Sequence, residues 1–324
     1  MLFRMRYIVR HFGLSDTPKL LEVEKHDVPP VRLELRLISE KEIKQSYEKD
    51  DWVALLYTEE DVSEKTAAEF ERNDGGPAQA VRDISGKAGT RMSAFLRDFL
   101  RVVRWRTSVY GHHQLIRCAE EGLQWSHDGK DWKQSRGWLL IASLGGELRA
   151  TPYKPQLFEQ VSTMVVSGDH EPVGHELLRE AWNLRSHSPR SALMLGVSAL
   201  EVGVKAFVVK LVPASEWICF ELPAPPVVRM LEEYLHSLPV KLTINGKVFI
   251  PPRIIQTLKK AVFERNRVAH KGATVDDREE LAEILTTIQM ALYFLDYYAG
   301  YSWALNNMRH ADIYDLLQRE LSKR

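Results

Sequence analysis

Hydrophobic and polar positions along this chain follow two regimes. Between Val31 and Ile38, apolar Val31, Leu33, Leu35 and Leu37 alternate with Arg32, Glu34 and Arg36. A period of two predicts a strand with one face buried. Trp52 to Tyr57 is a short apolar run that suits a buried strand. The stretch Glu71 to Gly89 is polar and contains glycine, which predicts a loop. After it Met92, Phe95, Leu96, Phe99, Leu100 and Val103 recur at helical spacing, with arginines between them. Asp128-Gly129 between Trp125 and Trp132 predicts a hairpin turn, and Gly137 to Ala142 a further strand.

From about Pro172 the pattern becomes helical. Glu176 to Leu184 leads into a long helix, Arg190 to Leu211, with Ser188 as its cap and Pro189 in its first turn. Apolar residues run nearly all round that helix, which predicts the buried centre of a bundle. Val227 to Leu238 is a third helix. Lys241 to Ile250 carries Asn245-Gly246 and predicts a hairpin, a marginal ribbon that must lean on the helices or on a partner chain. Pro251-Pro252 opens the next helix, which runs to about His270 and stops at Gly272. Asp276 with Glu279 reads as a capping box for a helix from Asp277 to about Ala299, and a final helix is expected from Ala311 to Leu321. The fold class is α+β: a mixed α+β N-terminal domain over residues 1–165, then an all-α helical bundle with an inserted β-hairpin over 166–324.

Composition narrows the function classes. With 324 residues, 44% hydrophobic and 27% charged, both halves are expected to fold. Equal numbers of basic and acidic residues, 44 each, give no global attraction to nucleic acid, so any such attraction must be local. Cys118 and Cys219 stand alone and far apart, which argues against a disulfide framework or a zinc site and fits a reducing cytoplasm. Charge near the N-terminus, and Glu201 and Lys205 inside the longest apolar run, argue against export and against a membrane span. Phosphate-binding glycine loops, nucleophile elbows and metal-spaced histidine pairs do not occur, so no cofactor and no metal is expected.

One segment carries candidate chemistry: Glu264-Arg265-Asn266-Arg267-Val268-Ala269-His270. An arginine neutralises phosphate, a histidine moves protons near neutral pH, and an asparagine orients either one. These are the groups needed to cut RNA without a metal. Similar arginine-to-histidine spacings occur at Arg6–His11, Arg106–His112 and Arg229–His236, but only Arg265 is followed by asparagine on a helix that closes before a second capped helix. The same helix carries Arg253, Lys259, Lys260, Arg267 and Lys271 with Glu264 as its lone acid, which predicts a local phosphate-binding strip. The ordinary alternative is that basic residues favour a helix C-terminus; that accounts for Arg267 and Lys271 but not for Arg253. Glu201 and Lys205, one turn apart, are expected to pair with each other, the other role open to them being a buttress for Arg265.

On Arg265, Asn266 and His270 the last 150 or so residues resemble the HEPN superfamily, whose signature is arginine, a polar residue, a short spacer and histidine. The resemblance implies a metal-independent endoribonuclease acting as a homodimer through its C-terminal domain, with Arg265, Asn266 and His270 catalytic, while the basic strip makes Arg267, Lys271, Lys260 and Arg253 the candidate RNA-binding residues. It also implies a role in toxin–antitoxin or antiviral defence, with an antitoxin or phage-derived trigger as partner and the N-terminal domain as sensor or regulator. The rival expectation is a non-catalytic HEPN module that dimerises or binds RNA for the N-terminal domain.

Overall fold

Residues 1–9, 21–26, 29–42, 51–72, 77–107, 116–135, 156–221 and 226–307 are described by the structure, a computed structural model. The expected strand at 137–142, the expected helix at 311–321 and the histidines at 11 and 112 lie outside the described residues. The protein is mixed α/β with a six-stranded antiparallel sheet. Its chain divides into two compact units, Met1–His170 and Glu171–Arg324, a break slightly beyond the expected boundary at residue 165.

Unit 1 is built on strands β1 (Leu2–Val9), β2 (Leu21–Lys25), β3 (Val31–Leu37), β4 (Trp52–Glu59), β5 (Ile116–Ser126) and β6 (Lys133–Gln134), in the spatial order β2-β3-β4-β1-β5-β6. The alternation read from β3 is the alternation observed: Val31, Leu33 and Leu35 are buried, and Arg32, Glu34 and Arg36 occupy the other face. Helix α1 (Glu64–Glu71) precedes α2 (Gln79–Thr107), which lies across β1, β3 and β4, and α3 (Gln156–Val166) packs on α2 and β2. On the opposite face, Ile8, Ile38 and Val53 form a small apolar cluster. Beside it the Glu42 carboxylate accepts hydrogen bonds from Arg36 at 2.7 and 2.8 Å and from Arg6 at 2.6 Å. The bonds from Arg36 above all, with those from the Ser39 hydroxyl and N–H, hold Glu42 well below the usual carboxylate range.

The loop expected over Glu71–Gly89 is corrected: α2 starts at Gln79. Ser85 and Ala88 are fully buried there, and the Ser85 hydroxyl meets the Ser135 hydroxyl at 2.7 Å. Small residues read as loop composition because they carry no apolar periodicity, yet here they are what the helix packs with. The hairpin at Asp128-Gly129 forms, with Trp125 opposite Lys133 and the Asp128 carboxylate accepting from the backbone of Lys130 and Asp131.

Unit 2 is helical. Helices α4 (Val173–Leu184), α5 (Pro189–Leu211) and α6 (Glu216–Glu221) are followed by α7 (Val227–Arg229), which widens into a π turn over Met230–Tyr234 and tightens into a 3₁₀ turn at Leu235–Ser237. Then come α8 (Pro252–Lys271) and α9 (Arg278–Tyr298). α5 is long and apolar enough to cross a membrane by length and composition, and it lies against α4, α8 and α9. Ser188 precedes it, but the Ser188 hydroxyl turns to Ser191 and does not cap the helix backbone. The capping box expected from Asp276 is shifted by one residue: Asp277 accepts from the N–H groups of Glu279 and Glu280, while Asp276 takes the Thr274 hydroxyl.

α4 and α5 approach until their backbones touch. A Cβ at Gly174 would lie 3.0 Å from the Ala199 carbonyl oxygen and 3.1 Å from the Gly203 Cα, both rigid backbone atoms. Gly174→Ala is therefore expected to destabilise unit 2 by about 1–3 kcal/mol through overpacking, outweighing a helical gain of about 1 kcal/mol at most. Urea denaturation of the full chain checks this, and an unchanged or higher midpoint would contradict the close approach.

Candidate functional site

α8 forms where two prolines fix the entry and a left-handed glycine fixes the exit. Pro252 sits in the first turn, and Gly272, with φ of 63°, ends the helix by donating its N–H to the Val268 carbonyl. Ile254, Ile255, Leu258 and Ala261 make the buried side. The next position on that seam is Arg265, whose guanidinium is hydrogen-bonded to the Glu201 carboxylate on α5. The expected Glu201–Lys205 pair is corrected: the carboxylate reaches across to α8, and Lys205 has no ion pair among the described residues. A pair one turn apart on one helix competes with a partner on the facing helix, and here the facing arginine wins.

Asn266 and His270 are exposed and have no hydrogen bond to any described residue. At 100° per residue they stand about 40° apart on one face of α8, whereas Arg265 and His270 diverge by about 140°. One chain thus places the arginine inward and the amide and imidazole outward. Phe263, a phenyl ring 61% exposed, lies on the same outward face as Asn266 and His270.

The free basic strip read from the sequence is corrected. Arg253 is paired with Glu283 at 3.7 Å, Lys259 with Glu232 at 2.8 Å, Lys260 with Glu280 at 2.6 Å and Arg267 with Glu264 at 2.8 Å. Glu280 raises the Lys260 ammonium above its ordinary value. Arg265 being held by Glu201, only Lys271 of the six cations has no ion pair among the described residues. The neutralising acids come mostly from other elements, so counting charges along one helix could not reveal them.

The inserted ribbon is also corrected. Asn245 and Gly246 take positive φ values of 49° and 76° and make the expected tight turn, but the ladder ends after one bridge, Ile244 to Lys247. Its flanks are held by the end of α9. The Phe249 N–H donates to the Tyr298 hydroxyl at 3.0 Å, and that hydroxyl donates to the Phe249 carbonyl at 2.7 Å. The Tyr297 hydroxyl donates to the Thr243 carbonyl, and the Lys241 N–H to the Tyr298 carbonyl. Burial, the largest cause, pushes the Tyr298 phenol up to about 12.

Held in this way, the segment lines a cavity of about 260 Å³ at the start of α8. Val248, Phe249, Leu231, Leu235 and Ile255 supply apolar wall, and Glu232, His236, Gln256 and Lys259 supply polar groups. Sequence reasoning missed Phe249 and Gln256, and met His236 only in the Arg229–His236 spacing that it set aside. The π turn that positions Leu231 and Glu232 has no signature in composition. Among the described residues no group of three or more His, Cys, Asp or Glu is placed to hold a metal ion. A buried pair, His175 to Asp296 at 2.8 Å with the Tyr293 ring beside it, lies in the core between α4 and α9. No family model, curated protein or solved structure matches the chain.

Tyr298→Phe is expected to cost about 1–3 kcal/mol, because it leaves the Phe249 N–H and carbonyl without their partner. The sign of the pH effect follows from the raised phenol. The folded protein holds the proton more tightly than the unfolded chain, so this contribution to stability is complete below 10 and falls as pH rises from 10 through about 12. Chemical denaturation across that range should show a steeper alkaline loss for wild type than for Tyr298→Phe; parallel curves would contradict it.

Proposed function

We propose that this protein is a metal-independent endoribonuclease of the HEPN type, acting as a homodimer through unit 2. The observation that carries this reading is the division of labour on α8. Arg265 is fixed against Glu201 while Asn266 and His270 are exposed with no hydrogen-bond partner among the described residues, so a second copy would complete the set by bringing its own arginine to the histidine of the first. A two-fold pair of identical faces is the usual form of a homodimer. Trp217, Ile218 and Phe220 on α6 are exposed by 66, 55 and 50%, the apolar surface that such association needs.

In the reaction, His270 takes the proton of a ribose 2′-hydroxyl, and the resulting oxygen attacks the adjacent phosphorus. The 5′-oxygen leaves and is protonated, giving a 2′,3′-cyclic phosphate and a 5′-hydroxyl. Arg265 stabilises the charge that builds on the phosphate oxygens, and Asn266 positions the phosphate or the imidazole. Lys271 and the exchangeable surface cations Arg253, Lys260 and Arg267 assist binding. The three cations are exposed, and surface pairs of that kind are worth roughly 0–1 kcal/mol, so an incoming phosphate competes with their acid partners at small cost. The resemblance adds a cytoplasmic place in toxin–antitoxin or antiviral defence, with unit 1 as sensor or regulator. Neutralisation of the basic strip favours one rival, a HEPN module that assembles or binds RNA without cutting it.

His270→Ala is expected to slow cleavage by about 10²–10⁴-fold and Arg265→Ala by about 10²–10³-fold, with a smaller loss for Asn266→Ala and none on adding EDTA. Cleavage of total RNA by the full chain, with product ends mapped, is the measurement. Full activity in His270→Ala, or activity that chelation removes and magnesium restores, would overturn the mechanism. Light scattering of the full chain should give a dimer at micromolar concentration; a strict monomer that still cuts RNA would sink the shared site.

A further inference from the structure

The cavity at the start of α8 and the motif at its end share one face of that helix. On helical geometry Gln256, Lys259, Phe263 and Asn266 all lie within about 40° of His270. All five are exposed, and together they make a strip about 21 Å long from the cavity to the imidazole. Its chemistry changes along its length: an amide at the cavity, an ammonium beside it, an exposed phenyl ring midway, then the amide and imidazole of the motif. These are the kinds of groups that bind a single polynucleotide strand, with ring faces for stacking, cations for phosphates and amides for base edges.

The cavity itself suits one heterocyclic base. At about 260 Å³ it falls just below the roughly 300–1,000 Å³ of sites for drug-sized ligands, so it takes a single ring system. Phe249 offers a ring for stacking between aliphatic walls, and Gln256 offers one donor and one acceptor side by side, the pairing that amides make with adenine. Lys259 stands at the same opening, held by Glu232 in an exposed ion pair that a phosphate can displace.

We propose that the cavity is a base-selecting pocket for single-stranded RNA, which runs from it along the outward face of α8 over Phe263 to Asn266 and His270. The proposal rests on the ribonuclease reading of the motif and adds to it where the strand lies and what selects it. Selection then acts a few nucleotides away from the cut, and Gln256, Phe249 and Phe263 are binding residues that do not touch the reacting atoms.

The test uses the full chain carrying His270→Ala, so that RNA is not consumed, with fluorescence anisotropy of short labelled oligoribonucleotides of adenosine, cytidine or uridine. The adenosine oligomer should bind most tightly. Adding Gln256→Ala should abolish the preference, and adding Phe249→Ala or Phe263→Ala should weaken binding by about tenfold or more. Gln256 is exposed and its replacement by alanine favours the helix, so that variant keeps the test valid if Phe249→Ala fails to fold. Binding within twofold of the parent with an unchanged preference in the Gln256 and Phe263 variants would overturn the pocket, as would failure of every oligonucleotide to bind, in which case a peptide becomes the occupant to examine. Cleavage by wild type is scored separately. RNA that is bound with the Gln256-dependent preference but never cut upholds the pocket and refutes the nuclease; RNA that is cut while the pocket variants bind as the parent does refutes the pocket and leaves the nuclease standing.

Discussion

The ion pair between Arg265 and Glu201 sets the rotation of α8 about its own axis. Ile254, Ile255, Leu258 and Ala261 do this for the first half of the helix by burial, but no residue after Ala261 is fully buried. Arg265 falls on the next step of the same seam, where an apolar residue would ordinarily continue the packing. Its side chain is 25% exposed and that of Glu201 30%, so neither charge is stripped of water and the desolvation cost is limited. Losing either partner leaves the other half-buried without its counter-charge, and the last turns of α8 lose the contact that turns Asn266 and His270 outward.

Much of this architecture could be read from residue order. The alternation in β3, the apolar girth of α5, the Pro252 start and Gly272 stop of α8, and the Asn245-Gly246 turn are each local, and each is found where the pattern puts it. What could not be read depends on partners distant in sequence. Ser85 and Ala88 look like loop residues until Ser135 is beside them. The cations of α8 look like a free strip until Glu232, Glu280 and Glu283 arrive from elsewhere in unit 2. For the candidate site, the motif and its angular split were legible, the attachment to Glu201 only as the lesser alternative to a Glu201–Lys205 pair, and the cavity lined by Phe249 and Gln256 not at all.

The end of α9 has a comparable organising role for the segment before α8. A phenol that both accepts from and donates to one residue replaces the hydrogen bonds of a second strand, which is why a two-residue turn persists without a ribbon around it. Tyr298 is fully buried, so its hydroxyl has nowhere else to bond, and the reach of its ring fixes how far Phe249 stands from the helix core.

The seam and the outward strip occupy α8 together, one every third or fourth residue inward and the other every third or fourth residue outward. A helix read in this way has a phase as well as a sequence. Insertion or loss of one residue between Lys259 and Asn266 would keep every side chain of both ends and every local motif, yet turn one end about 100° against the other. Arg265 would then leave Glu201, and the cavity and the imidazole would face different directions. The number of residues in that stretch is under tighter constraint than the identity of most of them.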